Sequence, residues 1–306
     1  MPRRKIALVG VGKIAQDQHL PALAASPDWD LAATYSLAGH VTGLPAYDDF
    51  ATLLAERPDI GTVTLCLPPR PRFALAAAAL QAGRHVMLEK PPGATLAEVQ
   101  SLQTLAERRG LALFATWHSR MAAGVAPAKA WLQGRRVTGG RITWHEDVRL
   151  WHPGQHWVFE PGGMGVFDPG INALSILTHI LPEPVHLTAA CLQVPANLTT
   201  PIAAQLSFSN GLQADFDWRV DRDQTWQIRI ETEDGFLDLD RGGAELRIEG
   251  QAVAPGGVPQ GEYPALYARM AELVAAGRQE VDLSPMVLIA DAHLLGHRET
   301  VAAFHF

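Results

Sequence analysis

The chain has 306 residues, 47% of them hydrophobic and 19% charged, and carries a formal net charge of −7. That length provides for two cores, since a domain commonly holds about 100 to 150 residues, and the composition is that of a folded globular protein. The acidic balance excludes a nucleic-acid partner, which needs a basic face, and no apolar run approaches the roughly 18 residues of a membrane span.

Arg3 and Arg4 precede an apolar run, Ile6 to Val9, that stops at Gly10 and is too short for the core of a secretion signal, so a cytoplasmic protein is expected. Strand-like and helix-like runs then alternate. The pattern predicts strands at Lys5 to Val9, Leu31 to Tyr35, Thr62 to Leu67, His85 to Leu88 and Leu111 to Ala115. Between them it predicts helices near Ile14 to Ala25, Asp49 to Glu56, Arg72 to Gln81 and Leu96 to Arg108. Such alternation implies a parallel sheet covered on both faces, with ligands at the carboxyl ends of its strands.

The loops after the strands are therefore the candidates for a site. Gly10-Val11-Gly12-Lys13-Ile14-Ala15 fits G-x-G-x-x-A between a strand and a helix. There Gly10 permits the turn, Gly12 lets a pyrophosphate approach the backbone, and Ala15 lets the helix pack closely. This predicts a dinucleotide site whose first contacts are Gly10, Gly12, Lys13 and Ile14. The second strand ends in Ser36 and Leu37, with neither the acid that holds a ribose 2′-hydroxyl nor an Arg that accepts a 2′-phosphate, so NAD and NADP both stay open here. Cys66, Pro68 and Pro69 form the next loop, and Glu89 and Lys90 the one after it, where an amine can be tuned by a neighbouring carboxylate.

After Arg120 the pattern changes. A helix near Val125 to Leu132 leads to the strand Arg141 to His145 and then to a loop, Glu146 to Trp157, holding two acids, two histidines and two tryptophans. Flat rings and hydrogen-bonding side chains suit a sugar, and loops this rich in both are site candidates. His156 and Trp157 read as packing residues. No spacing here makes a recognised metal motif, and none is expected to bind one; Cys66 and Cys191 also lack disulfide spacing.

A glycine-rich turn, Gly162 to Gly165, then opens an apolar helix on which Asp168, Asn172, Ser175 and His179 share one face. Asp168 before Pro169 reads either as the N-cap of that helix or, if the helix begins near Val166, as a carboxylate turned to a site. Strand-like runs follow at Val185 to Val194, Ile202 to Phe208, Leu212 to Val220, Thr225 to Glu231 and Gly235 to Leu239, joined in part by hairpin signals at Asn210-Gly211 and Asp234-Gly235. Helices Ala265 to Ala276 and Pro285 to Ala303 close the chain. The expected division is a dinucleotide-binding domain over 1–120 and an α+β domain with a large antiparallel sheet over 121–306.

The order G-x-G-x-x-A, Cys-Leu-Pro-Pro, Glu-Lys-Pro and Gly-Gly-x-Gly-x-x-Asp-x-Gly resembles the Gfo/Idh/MocA oxidoreductase family. Longer stretches, Gly12 to His19, Leu88 to Thr95, Ala115 to Arg120 and Phe167 to Asn172, are similar to its bacterial aldose 1-dehydrogenases of L-arabinose and D-galactose. The resemblance implies an α/β fold, with an N-terminal Rossmann domain and a C-terminal α+β domain built on a large, mostly antiparallel open sheet. It also implies a homo-oligomer formed through that sheet, and oxidation of a sugar at C1 to the lactone by hydride transfer to NAD or NADP. Lys90 and Asp168 would handle the proton and Asn172, where the family commonly has His, would only orient. His118, Glu146, Trp151, His152 and Trp226 join Asp168 and Asn172 as substrate contacts. The arabinose enzymes have a basic residue where this chain has Leu37, which favours NAD or dual use. A reductase of another carbonyl, or a nucleotide-binding regulator without catalysis, are the competing readings.

Overall fold

The computed structural model describes residues 2–37, 39–221, 223–254 and 261–306. It divides into two compact units, Met1–His118 with Gln260–Asp282, and Ser119–Pro259 with Leu283–Phe306.

The first unit runs through β1 (Arg4–Val9), α1 (Leu20–Ala25), β2 (Trp29–Tyr35), β3 (Ala46–Tyr47), α2 (Phe50–Glu56), β4 (Thr62–Leu65), α3 (Pro69–Gln81), β5 (His85–Leu88), α4 (Leu96–Arg109) and β6 (Leu113–Ala115). Its six strands lie in the order β3-β2-β1-β4-β5-β6, every pair parallel. All four residues of β4 are buried, as a strand covered on both faces requires. Local chemistry sets the helix ends: Thr95 and Glu98 form a reciprocal capping box at the start of α4, and Gly110 ends it at φ 64°. The strand expected to reach Leu67 stops at Leu65, and α3 begins at Pro69 rather than near Arg72, because proline is well suited to a first helical turn.

The second unit contains α5 (Val125–Leu132), β7 (Val137–His145), α6 (Val148–Trp151), α7 (Phe167–Ile180), β8 (Leu187–Pro195), β9 (Ala203–Phe208), β10 (Leu212–Asp217), β11 (Thr225–Thr232), β12 (Gly235–Asp240), β13 (Glu245–Ile248) and β14 (Gln251–Val253). The chain next forms α8 (Glu262–Ala276), which belongs to the first unit, and then α9 (Ser284–Leu295) and β15 (His297–Val301), which belong to the second. The nine strands are ordered β14-β13-β12-β11-β7-β10-β9-β8-β15, antiparallel except for β7 with β10 and β8 with β15. β10 alternates buried Leu212, Ala214 and Phe216 with less buried Gln213, Asp215 and Asp217. The polar face carries cross-strand ion pairs, Arg141 with Asp215 at 3.1 Å and Arg229 with Asp238 at 3.3 Å.

Two expectations are corrected. The closing helix does not extend to Ala303: it ends at Leu295, and His297–Val301 is a strand beside β8. Gly296 sits at the break, where a Cβ would lie 2.3 Å from the Ala292 carbonyl oxygen. Nor does one cut near residue 120 divide the chain, because α8 returns to the nucleotide unit: the Trp29 indole donates to the Tyr267 carbonyl at 2.8 Å, and the Arg269 guanidinium pairs with Glu280. Among the described residues no helix is long and apolar enough to cross a membrane.

Candidate active site

In the first unit β1 delivers Gly10 at φ +93°, a backbone that side chains rarely adopt, and an added Cβ would stand 2.8 Å from Leu67. A Cβ on Gly12 would meet nothing within 4 Å, so the backbone there is open to a phosphate, while Ala15 is fully buried beneath the turn. The Gln16 amide bonds back to the Gly12 carbonyl at 3.1 Å, and one π-helical turn, Ala15–His19, leads into α1. This cradle fits a dinucleotide pyrophosphate. Lys13 pairs with Asp17 one turn on, and Ile14 is partly exposed. Ser36 accepts the Val11 amide at 3.3 Å, whereas Leu37 is 81% exposed. Cys66 is buried, and Pro68 and Pro69 begin α3.

Glu89 and Lys90 follow β5. Arg72, buried within α3, donates to the carbonyls of Leu67, Glu89 and Pro91 and so ties the backbone on both sides of Lys90. The sequence offered no sign of that role, since a helical Arg is ordinarily a surface charge. Glu89 itself is buried. One oxygen faces His19 Nε2 at 3.1 Å and accepts the Tyr263 hydroxyl at 2.8 Å; the other accepts the Lys90 amide at 2.7 Å. His19 Nδ1 lies 2.7 Å from the Tyr267 hydroxyl. His118 is 2.6 Å from Glu262 and stacks on the Tyr263 ring.

Burial opposes a charge on His19, but the Cys66 sulfur, Tyr267 and Glu89 outweigh it and raise its pKa well above the ordinary 6.5. Burial likewise opposes ionisation of Glu89, yet His19, His118 and Tyr263 hold its pKa down to about 2, from 4.5. The two shifts act on stability in opposite pH ranges. The contribution of Glu89 is present above its unfolded value and lost as pH falls toward 2; that of His19 is complete below 6.5 and lost as pH rises through its folded value. Between about pH 6 and pH 9 the urea midpoint of the wild-type protein should therefore fall more steeply than that of His19→Gln. Equal slopes would mean that His19 is not protonated in the folded chain.

In the second unit the glycine-rich turn is a packing device. A Cβ on Gly165, at φ +56°, would lie 2.2 Å from the Pro201 carbonyl, and the Gly165 amide donates to Val158 at 2.8 Å. The turn thereby anchors the 3₁₀ segment His156–Phe159 to the start of α7. Val166 is the N-cap, so Asp168 is the second residue of the helix and not its cap. It is buried, and its Oδ2 faces His152 Nε2 at 3.2 Å. Asn172 stands one turn further along the same face.

The loop after β7 supplies the rest. Glu146, also buried, accepts both the Trp144 indole at 3.0 Å and the Trp226 indole at 2.8 Å on one oxygen. Trp151, 41% exposed, meets Trp226 edge-on at 6.1 Å and donates to Gln224 at 2.5 Å. His152 packs edge-on against Trp218, and Gln155 Oε1 lies 3.1 Å from its Nδ1 while accepting the Trp157 indole at 3.2 Å. His156 packs against Phe306 with the rings 5.2 Å apart and tilted by 58°. Glu146, Trp151 and Trp226 thus form one contact group with Trp144, and His152 and Asp168 another with Gln155, Trp157 and Trp218. Gln155, Trp144 and Trp218 were not legible as members of these groups, because an amide in a loop and indoles in or beside strands carry no motif. Among the described residues, no group of three or more His, Cys, Asp or Glu side chains could hold a metal ion.

The galactose 1-dehydrogenase of Pseudomonas fluorescens is 41% identical to this chain over 98% of each sequence. The pattern of the Gfo/Idh/MocA oxidoreductase family, described as an NAD-binding Rossmann fold, matches residues 4–116. The chain belongs to the Gfo/Idh/MocA family. It is an oxidoreductase whose first unit carries the family's NAD-binding Rossmann fold. A solved D-galactose-1-dehydrogenase from Rhizobium etli superimposes with a TM-score of 0.94 at 48% identity, over 100% of this chain and 99% of its own. KijD10, a 3-ketoreductase from Actinomadura kijaniata in complex with NADP and TDP-benzene, covers 99% of this chain with all of its own at a TM-score of 0.83. At 17% identity that likeness is one of fold only.

Proposed function

We propose that the protein is an NAD(P)-dependent aldose 1-dehydrogenase that oxidises D-galactose, L-arabinose or a sugar of the same ring stereochemistry to its lactone. The observation that carries this reading is the Asp168–His152 contact, a buried carboxylate that is not the helix N-cap, paired with an imidazole that packs on the Trp157 and Trp218 indoles. The likeness to two galactose dehydrogenases, each along nearly the whole chain, supports the same substrate class.

Bound NAD or NADP would supply the hydride acceptor. Gly10, Gly12, Lys13 and Ile14 hold its phosphates, Ser36 and Leu37 border the ribose, and Cys66, Pro68, Pro69, Glu89 and Lys90 form the remaining cofactor contacts. As the C1 hydrogen leaves, the anomeric hydroxyl becomes acidic; the Lys90 ammonium stabilises the developing oxyanion, and Asp168 accepts the proton. Asn172 orients the sugar, since an amide cannot take up a proton near neutral pH. Trp151 and Trp226 offer faces to the apolar side of the ring, and Glu146, His152 and His118 take its hydroxyls. The polar face of the nine-stranded sheet is the surface through which copies associate.

The test is purified protein with each cofactor and a panel of aldoses, followed by nicotinamide absorbance. Turnover with D-galactose or L-arabinose is expected. The exposed Leu37 offers no charge to a 2′-phosphate, so kcat/KM with NADP should exceed that with NAD by no more than about tenfold, worth ~1.4 kcal/mol. Absence of reduction with every sugar would favour a nucleotide-binding regulator, and a larger NADP advantage would overturn the cofactor reading.

A further inference from the structure

The most costly group in the nucleotide unit carries a buried charge that its place among the cofactor contacts leaves unexplained. Glu89 and His19 are 4% and 0% exposed, and an ion pair taken so far from water is commonly no more stable than apolar side chains of the same volume. What the pair does uniquely is direct a charged oxygen at the backbone of the next residue. We propose that Glu89 is a positioning residue for Lys90, with His19 and Tyr263 as the groups that hold Glu89 in place; this rests on the role given to Lys90 above.

The geometry supports it in three ways. Both Glu89 oxygens are engaged, one by the His19 imidazole and the Tyr263 hydroxyl and the other by the Lys90 amide, so the carboxylate cannot rotate without breaking bonds on each side. The donors come from distant parts of the chain, the π-helical turn after the glycine loop and α8, which ties the Lys90 backbone to the segment that carries the dinucleotide cradle. Arg72 fixes the carbonyls before and after Lys90. The Lys90 backbone is thereby held at the preceding carbonyl, at its own amide and at the following carbonyl. Tyr263 remains a neutral donor because burial, then Glu89, raises its pKa well above 10.

Glu89→Gln keeps the volume and removes the charge, and an amide cannot accept from His19, Tyr263 and Lys90 as the carboxylate does. It should lower kcat by about tenfold to a hundredfold, the effect of displacing a reacting group by a fraction of an ångström to an ångström, and raise the dissociation constant for NAD by a smaller factor than it lowers kcat. Tyr263→Phe, which deletes one hydrogen bond and keeps the ring under His118, should lower kcat about threefold or more and provides the readout if Glu89→Gln does not fold. If Glu89 acts through Lys90, Lys90→Met with Glu89→Gln will be no slower than Lys90→Met alone. Multiplicative losses in the double variant, or an unchanged kcat in folded Glu89→Gln, overturn the positioning role. A near-normal kcat in Lys90→Met overturns instead the proton-handling reading on which it rests.

Discussion

Lys90→Met is expected to reduce kcat by about 10³, the largest single loss in the protein, because in the proposed mechanism it would remove both the cation that stabilises the oxyanion at O1 and a group able to share its proton. Methionine matches the length of the lysine stem, and its backbone is fixed by Arg72 and Glu89 rather than by the ammonium, so the fold should survive. Loss of an interaction made only in the transition state lowers kcat and kcat/KM together, whereas loss of simple binding raises KM alone. Lys90→Arg separates the two tasks: it keeps the charge and cannot give up a proton. Activity restored by Arg would assign Lys90 an electrostatic role, and activity as low as in the Met variant would assign it the proton or an exact fit.

Asp168→Ala should lower kcat by roughly 10² or more. The carboxylate is 4% exposed and faces His152, so the alanine variant also leaves the imidazole without that partner, and some thermal stability should go with it. Asp168→Asn is the sharper probe, since it preserves shape and can still meet His152 but cannot accept a proton. If Asp168 is the base, Asn and Ala will be similarly slow. A nearly active Asn variant would show that the position needs only a hydrogen-bonding side chain, and the base would then lie elsewhere.

Much of the architecture was legible because its determinants are local. His85–Leu88 and Val125–Leu132 form where periodicity placed them, and the Asn210-Gly211 and Asp234-Gly235 turns join β9 to β10 and β11 to β12. The destination of α8 was not legible: an amphipathic helix announces that it has an apolar face, not which core will take it. The His297–Val301 strand was lost for a related reason, since edge-strand residues are mostly exposed and show no clear alternation. At the candidate site, sequence pattern pointed to loops and to individual charged side chains, such as Lys90 and Asp168. It could not find the groups that hold them. Arg72, His19, Tyr263 and Gln155 act through bonds to residues far along the chain or across a loop, and no spacing encodes such pairings.

The carboxamide of Gln155 fixes the proton inventory of its neighbour. The Trp157 indole can only donate, so the group it meets at 3.2 Å is an oxygen; the same oxygen faces His152 Nδ1, which must then carry hydrogen. With Nδ1 protonated, the 3.2 Å approach of His152 Nε2 to Asp168 is a hydrogen bond only if a further proton lies between them. A pair holding that extra proton at rest would have to discharge it through the partly exposed imidazole before the carboxylate could take up a proton in the mechanism proposed above. Turnover limited by that discharge would slow in heavy water and respond to the concentration of buffer, and His152→Gln would abolish the buffer response. A buffer-independent rate in the wild-type protein would place the slow step elsewhere.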